Sequence, residues 1–432
     1  MFAKTLETIQ SSGQKQALYT RWILAILAIC VVLKTLWFSR LGIWHSRNLV
    51  DFDAFYLIAK RVWLGDVGQA YQFAKLINMQ SEVSGGVGSF MPWTYPPQFS
   101  LLLAPLALIP TGAAYFLFIA STLAFYLVVL RSIAGSHFVL LLIILFPAMA
   151  ITIACGQNGF LMAGLFGLVC LLIEERPILA GLALGLMIIK PHLAVAIGAY
   201  CILRRCWIVV MTAGAVVLIS SAVCTAVFGV QIWTGLLQSV RDSSIFLEQG
   251  YYPLYRMISF YAALRTAGLS AWAAFLGQGL IATLALGIVA VTVYRRMPAH
   301  VGLGLTAMVS VCVSPYAYDY DFLIFGIGLA LLLPDLHKAA RAGERGIIYA
   351  APMLIGAYGT LQSSRLGTSY SEIQYLNLIS IGGFAVVSLI ALIFVILLRR
   401  SKTGPAQRFS MGRSNTDFES LDAHGQASRP TF

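Results

Sequence analysis

Trp22-Ile-Leu-Ala-Ile-Leu-Ala-Ile-Cys-Val-Val-Leu-Lys-Thr-Leu-Trp-Phe38 decides the fold of this chain, because it carries a single charge, Lys34. A helix needs about 20 predominantly apolar residues to cross a bilayer. Comparable runs recur at 112–131, 138–153, 160–173, 178–200, 207–228, 272–294, 301–314, 322–334, 347–360 and 378–398. Of the 432 residues, 59% are hydrophobic and 11% charged, with a mean hydropathy of +0.82. A soluble domain carries about 25% charge. Barrel strands alternate apolar and polar residues, so long unbroken apolar runs argue against a closed barrel. The expected class is all-α: a polytopic transmembrane bundle of about 11–13 helices.

Charge placement orients the bundle. Basic clusters at Lys15–Arg21, Arg204-Arg205, Arg295-Arg296, Lys338–Arg345 and Arg399–Lys402 are assigned to the cytoplasm by the positive-inside rule. Residues 1–21 then form a cytoplasmic N-terminus, and 22–399 the transmembrane domain, led by an uncleaved signal anchor. The polar tail 400–432 is expected to be disordered and cytoplasmic. The long connections 39–96, 229–270 and 361–377 fall on the outer side. Between residues 98 and 200, counts from the two termini disagree by one crossing, which one half-helix would settle. Phe99–Ile109, between Pro97 and Pro110, is too short to cross and is one candidate. The net charge of +12 has no basic face outside the membrane, so no nucleic-acid partner is expected. None of the seven cysteines forms a metal-binding spacing.

The chemistry concentrates in a few polar interruptions. Asn48-Leu-Val-Asp-Phe-Asp-Ala-Phe-Tyr56 places Asp51 and Asp53 directly after the first span. On a helix, residues two apart diverge by about 200°, so only one of the two can face a given cavity. Phe52, Phe55, Tyr56, Ala59, Val62 and Trp63 form a 3- and 4-spaced stripe, expected as an amphipathic helix on the outer membrane surface. Its acids would either face water or supply a carboxylate base at the lipid–water boundary. In Met91-Pro-Trp-Thr-Tyr-Pro-Pro-Gln98 the prolines fix an extended entry, while Tyr95 could stack on a sugar ring.

Ile188-Ile-Lys-Pro-His-Leu-Ala194 puts Lys190 at membrane depth, where a charge signals function. It is read as a phosphate partner, with His192 as a possible ligand contact and snorkelling as the structural alternative. Gly156-Gln-Asn-Gly159 is either a plain turn or, through Gln157 and Asn158, a contact for hydroxyls. Ser314-Pro-Tyr-Ala-Tyr-Asp-Tyr-Asp-Phe322 offers Tyr316, Tyr318, Asp319 and Asp321. An aromatic belt would explain its tyrosines but not its acids. Arg241 and Arg256, on the outer loop, are either exposed solubilising arginines, the favoured reading, or phosphate contacts. No nucleotide-binding loop appears, so an activated substrate would arrive through the membrane.

These motifs occur in an order that resembles glycosyltransferase family 87: Asp51-Phe…Phe55-Tyr56…Ala59…Gly65…Tyr71, then Tyr95-Pro-Pro, Pro105-Leu and Pro110. Gly156-Gln-Asn-Gly, Leu179-Ala-Gly-Leu…Gly185-Leu…Lys190-Pro and Ser314-Pro-Tyr…Tyr320-Asp321 continue it. The resemblance implies a GT-C architecture in a bacterial inner membrane, with an outward active site fed by a polyprenyl-phosphate sugar. The better-known members are mannosyltransferases. The acceptor would be an envelope lipid or glycan, and membrane lipids the surroundings. The family's loop-one acid falls on Asp51, with Asp53 as the second choice. Asp51 would deprotonate an acceptor hydroxyl in an inverting transfer, while Lys190 and an arginine stabilise the leaving phosphate. The distant Lys190 is taken as Asp51's partner. No metal or other cofactor is required. Where mannolipid-making members use a histidine, this chain has Tyr316 and Tyr318. The competing class is a transporter or flippase; a third is a structural subunit of an envelope complex.

Overall fold

The apolar runs of the sequence become the long helices of the protein, and every regular element among the described residues is helical. The computed structural model describes residues 2–41, 48–84, 90–366 and 378–403. The expected tail, from residue 404 on, and the outer connection from 367 to 377 lie outside the described residues. In chain order the helices are α1 (Phe2–Ser11), α2 (Gly13–Leu41), α3 (Asp51–Leu64), α4 (Phe73–Ser84), α5 (Pro97–Leu103) and α6 (Thr111–Ala134). They continue with α7 (Phe138–Cys155), α8 (Gly159–Leu172), α9 (Pro177–Leu186), α10 (Pro191–Leu203), α11 (Trp207–Phe228) and α12 (Gln231–Glu248). Completing the chain are α13 (Phe260–Thr266), α14 (Ala271–Tyr294), α15 (Ala299–Ser310), α16 (Leu323–Ala339), α17 (Ala342–Leu366) and α18 (Gly382–Thr403). Among the described residues, six stretches are long and apolar enough to cross a membrane, one of them (Thr111–Cys155) covering both α6 and α7. The chain is an all-α polytopic membrane protein.

The disputed crossing resolves at Pro191. A proline has no N–H to donate and drives the residue before it out of the helical region. Lys190 accordingly sits at φ −137°, ψ 74°, and the apolar run expected as one span at 178–200 becomes two short helices, α9 and α10. Gln157, before α8, and Lys190, after α9, line the same cavity, so α8 runs away from it and α9 returns. Close packing gives the same direction independently. Gly181 abuts Val209 and Thr212, and Gly185 abuts Ala213 and Val216, so α9 and α11 run parallel. The α9–α10 hairpin therefore supplies the missing reversal. Residues 97–108, α5 and a 3-10 turn, do not cross: Tyr56 Oη donates to Ile109 O at 2.9 Å, back on the side where α3 lies.

Loop one is built into the bundle. The first turns of α3 are buried on every side, with Phe52, Ala54, Phe55, Leu57 and Ile58 all inside. Phe55 makes edge-on ring contacts with Trp93, Tyr95, Phe99 and Phe118, at centroid distances of 5.0–6.1 Å. Only the last turn is exposed, with Trp63 61% accessible yet donating its Nε1–H to Ala104 O at 2.7 Å. The helix expected to lie along the membrane surface is instead packed into the bundle, except at that turn. It ends at Gly65, whose φ of 74° is the left-handed cap that glycine adopts without Cβ strain.

Candidate active site

Segments far apart in sequence converge on one cavity of about 880 Å³ at the end of the bundle where loop one lies. They include α4, α17, the start of α3, the 90–96 loop, the α7–α8 turn, the α9–α10 break, α12 with the 251–256 segment, and the 316–320 segment. The last two are tied together by a bridge between Met257 and Tyr318 and by Ile258 N–H donating to Ala317 O at 2.9 Å.

The two loop-one acids take different places. Asp53 is the third residue of α3, and its Oδ2 accepts the Val50 N–H at 2.9 Å, reaching back to cap the helix start. It is buried and does not line the cavity. Asp51 lines the cavity, and its Oδ1 accepts from Gln157 Nε2 at 2.8 Å. Burial pushes its carboxyl above the ordinary carboxylate value. Arg256, the Gln157 hydrogen bond and Lys190 pull the other way, and Asp319 adds to the rise. Tyr95 Oη donates to Gln157 Oε1 at 3.2 Å, and burial pushes its phenol up to about 12, so it stays a neutral donor.

Lys190 is not the direct partner of Asp51. Its Nζ lies 2.7 Å from Asp321 Oδ1, and Asp321 Oδ2 also accepts the Tyr318 N–H at 3.2 Å. Arg256 forks onto Asp319, with Nε–Oδ2 3.1 Å and Nη2–Oδ1 2.9 Å, and Nη2 further donates to Cys155 Sγ at 3.3 Å. The reason is electrostatic. A desolvated cation costs several kcal/mol unless a counter-ion sits beside it, and each of these two cations has its own buried aspartate. Tyr320 lies between them, its ring centroid 4.7 Å from Lys190 Nζ and 5.9 Å from Arg256 Cζ. Tyr318 stacks on Tyr320 at 5.2 Å and 16°. Lys190, His192, Arg256, Tyr316 and Tyr318 line the cavity, while Asp319 and Asp321 lie behind it, both 1% exposed.

Arg241 and Asn158, like Asp53, Asp319 and Asp321, do not line the cavity. Arg241 is exposed on α12 and does not line the cavity, because α12 turns Leu236, Val240, Ser243 and Phe246 toward it instead. Asn158 is buried outside the lining, its side-chain amide without a hydrogen-bond partner among the described residues. Sequence reasoning also missed Ser243 and Tyr252, whose hydroxyls lie 2.6 Å apart on the cavity wall. The 3- and 4-spacing of Leu236, Val240, Ser243 and Phe246 is the signal that could have turned this face of α12 inward.

The Arg256–Asp319 fork leaves no room on α17. A Cβ added at Gly359 would collide with Asp319 Oδ2 and press on Arg256 Cγ. Gly359→Ala is therefore expected to lower stability by about 1–3 kcal/mol, the usual cost of overpacking, read as a lower melting temperature of the purified protein. An unchanged melting temperature would show that the fork can shift freely.

In this cavity walled by tyrosines, the Asp51 carboxylate can take a proton, and the Lys190 and Arg256 cations can stabilise a developing negative charge. Residues 93–315, just over half of the chain, match the family model described as Glycosyltransferase family 87. The match spans Tyr95, Gln157, Lys190 and Arg256, and begins beyond Asp51. No curated protein and no solved structure matches the chain.

Proposed function

The chain belongs to glycosyltransferase family 87, and from that premise we propose that this membrane enzyme takes a hexose from a polyprenyl-phosphate carrier and transfers it, with inversion, to a hydroxyl of an envelope lipid or glycan. Family membership makes it a transferase with a sugar donor and an acceptor. The finer reading rests on the site, above all on Asp51, Lys190 and Arg256 sharing one cavity. The carboxylate of Asp51 accepts the proton of the acceptor hydroxyl. The acceptor oxygen forms its bond to the anomeric carbon as the bond to the phosphate oxygen breaks, and polyprenyl phosphate departs with the electron pair. Lys190 and Arg256 hold the charge that develops on it, a term that preorganised donors supply without reorganisation. Tyr95, Tyr316, Tyr318 and Tyr320 offer ring faces to a sugar, and His192 lines the wall beside them, its Nε2 buried and without a hydrogen-bond partner among the described residues. Asp319 and Asp321 act through the cations they hold. The cavity end would face the periplasm of a bacterial inner membrane, with the basic clusters in the cytoplasm and 22–399 as the single transmembrane domain.

The test is a panel of radiolabelled polyprenyl-phosphate hexoses offered to the purified protein in liposomes with crude envelope lipid as acceptor. One donor should give labelled glycolipid or glycan. Carrier movement across the bilayer without any labelled product would instead favour a flippase.

The raised carboxyl of Asp51 gives the pH dependence its sign. A base works only when ionised, and a raised value means that it gains its proton sooner as pH falls. Transfer should therefore decline on acidification at a pH above the ordinary carboxylate range, read as the acid limb of kcat/KM. A limb inside that ordinary range would show that Arg256, Lys190 and Gln157 offset the burial of Asp51.

A further inference from the structure

Gln157 is held at both ends of its side-chain amide. Its Oε1 accepts the backbone N–H of Asn158 at 2.8 Å and the hydroxyl of Tyr95 at 3.2 Å. A backbone N–H can only donate, so it fixes which end of the amide is oxygen, an assignment otherwise left open between two nearly identical atoms. The NH2 end is thereby committed to Asp51 Oδ1, at 2.8 Å. Asp51 Oδ2 has no hydrogen-bond partner among the described residues, on a side chain that lines the cavity.

We propose that Gln157 is a positioning residue that selects Oδ2 of Asp51 as the basic atom, and does not contact the sugar. The inference rests on Asp51 being the base of the transfer. The amide N–H at Oδ1 occupies one of that oxygen's two lone pairs and lowers its basicity, while Oδ2 keeps both of its own. Oδ2, open to the cavity, is therefore the more basic atom and the one that receives the proton of the acceptor hydroxyl. The same bond holds the carboxylate plane, so Oδ2 points where an acceptor can reach it. Tyr95 is held in turn by its own backbone, whose carbonyl accepts the Tyr71 hydroxyl at 2.8 Å.

Other groups act on Asp51 from several elements: Arg256 from the 254–256 turn, Lys190 from the α9–α10 break, and Asp319 and Tyr320 from the turn before α16. Tyr318, Tyr95 and Cys155 complete the set. Among the described residues, none of these donates a hydrogen bond to its carboxylate; Gln157 does.

The test compares Gln157→Glu and Gln157→Met using the radiolabelled polyprenyl-phosphate hexose that the unmodified enzyme turns over. Glutamate keeps acceptors for Asn158 N–H and Tyr95 but sets a second carboxylate against Oδ1, so the pair must share a proton. Its acid limb should move up by about two pH units or more. Methionine keeps the volume and removes the donor; its limb should move up by about one unit, with a lower kcat on the alkaline plateau and a donor KM close to that of the unmodified enzyme. Gln157→Glu remains decisive if the methionine variant fails to assemble. Unshifted limbs in both variants, alongside an inactive Asp51→Asn, would overturn this inference alone. Transfer retained by Asp51→Asn overturns the base assignment and the inference together.

Discussion

Asp51→Asn should reduce transfer by about 10²–10⁴-fold, the range that a general base contributes, while the protein still assembles in the membrane. Asparagine keeps the shape of the side chain and can still accept from Gln157, so folding has little reason to change. What it loses is the capacity to hold a proton from the acceptor. Asp53→Asn is the matched control. Its oxygen can still accept the Val50 N–H that caps α3, and it has no surface on the cavity. Transfer within a few-fold of the unmodified enzyme is expected there, with at most about 0.5–2 kcal/mol of stability lost at the cap. The measurement is labelled product per mole of detergent-stable protein. Loss in Asp53→Asn with retention in Asp51→Asn would reassign the base.

The second large effect concerns the Lys190–Asp321 pair. Lys190→Met strands a carboxylate that is 1% exposed, and breaking a buried pair costs about 3–5 kcal/mol. The variant should melt earlier and express poorly, and transfer should fall by about 10²–10³-fold for want of the phosphate partner. Taken alone, those two losses are ambiguous. Lys190→Met combined with Asp321→Leu separates them. Replacing both ions by apolar side chains of similar size is often neutral or stabilising, so the melting temperature should recover while transfer stays absent. Recovery of both would mean that Lys190 serves the fold and not the phosphate.

What was legible in the sequence follows the range of the forces involved. Apolar runs report hydration, a property of each segment by itself, so the all-α membrane bundle could be read from Trp22–Phe38 and its successors. Helix geometry is equally local, and it required Asp51 and Asp53 to diverge; in the structure one lines the cavity and the other caps α3. Pro191 was visible as a breaker, yet the run around it still read as one span, because hydropathy does not register a reversal. Long-range pairing was illegible. Lys190 meets Asp321 across 131 positions, and Arg256 meets Asp319 across 63. Nothing in the local sequence says that each buried cation takes an aspartate of the 319–321 segment and leaves Asp51 to Gln157. The choice between Arg241 and Arg256 was closed for the same reason, since it depends on which face α12 turns inward. The burial of α3 depends on α5, α6 and the turn between them, so its stripe alone could not distinguish a surface helix from one packed into the bundle.

The central claim is that Asp51 acts as a base in a single displacement, and the anomeric configuration of the product tests it most directly. With the active polyprenyl-phosphate hexose as donor, the new glycosidic linkage is assigned from its anomeric proton coupling by NMR and compared with that of the donor. The account predicts inversion, because the acceptor oxygen attacks the face opposite the departing phosphate. Retention would contradict it, since it excludes an in-line single displacement and requires either a covalent sugar intermediate or attack from the face the phosphate leaves.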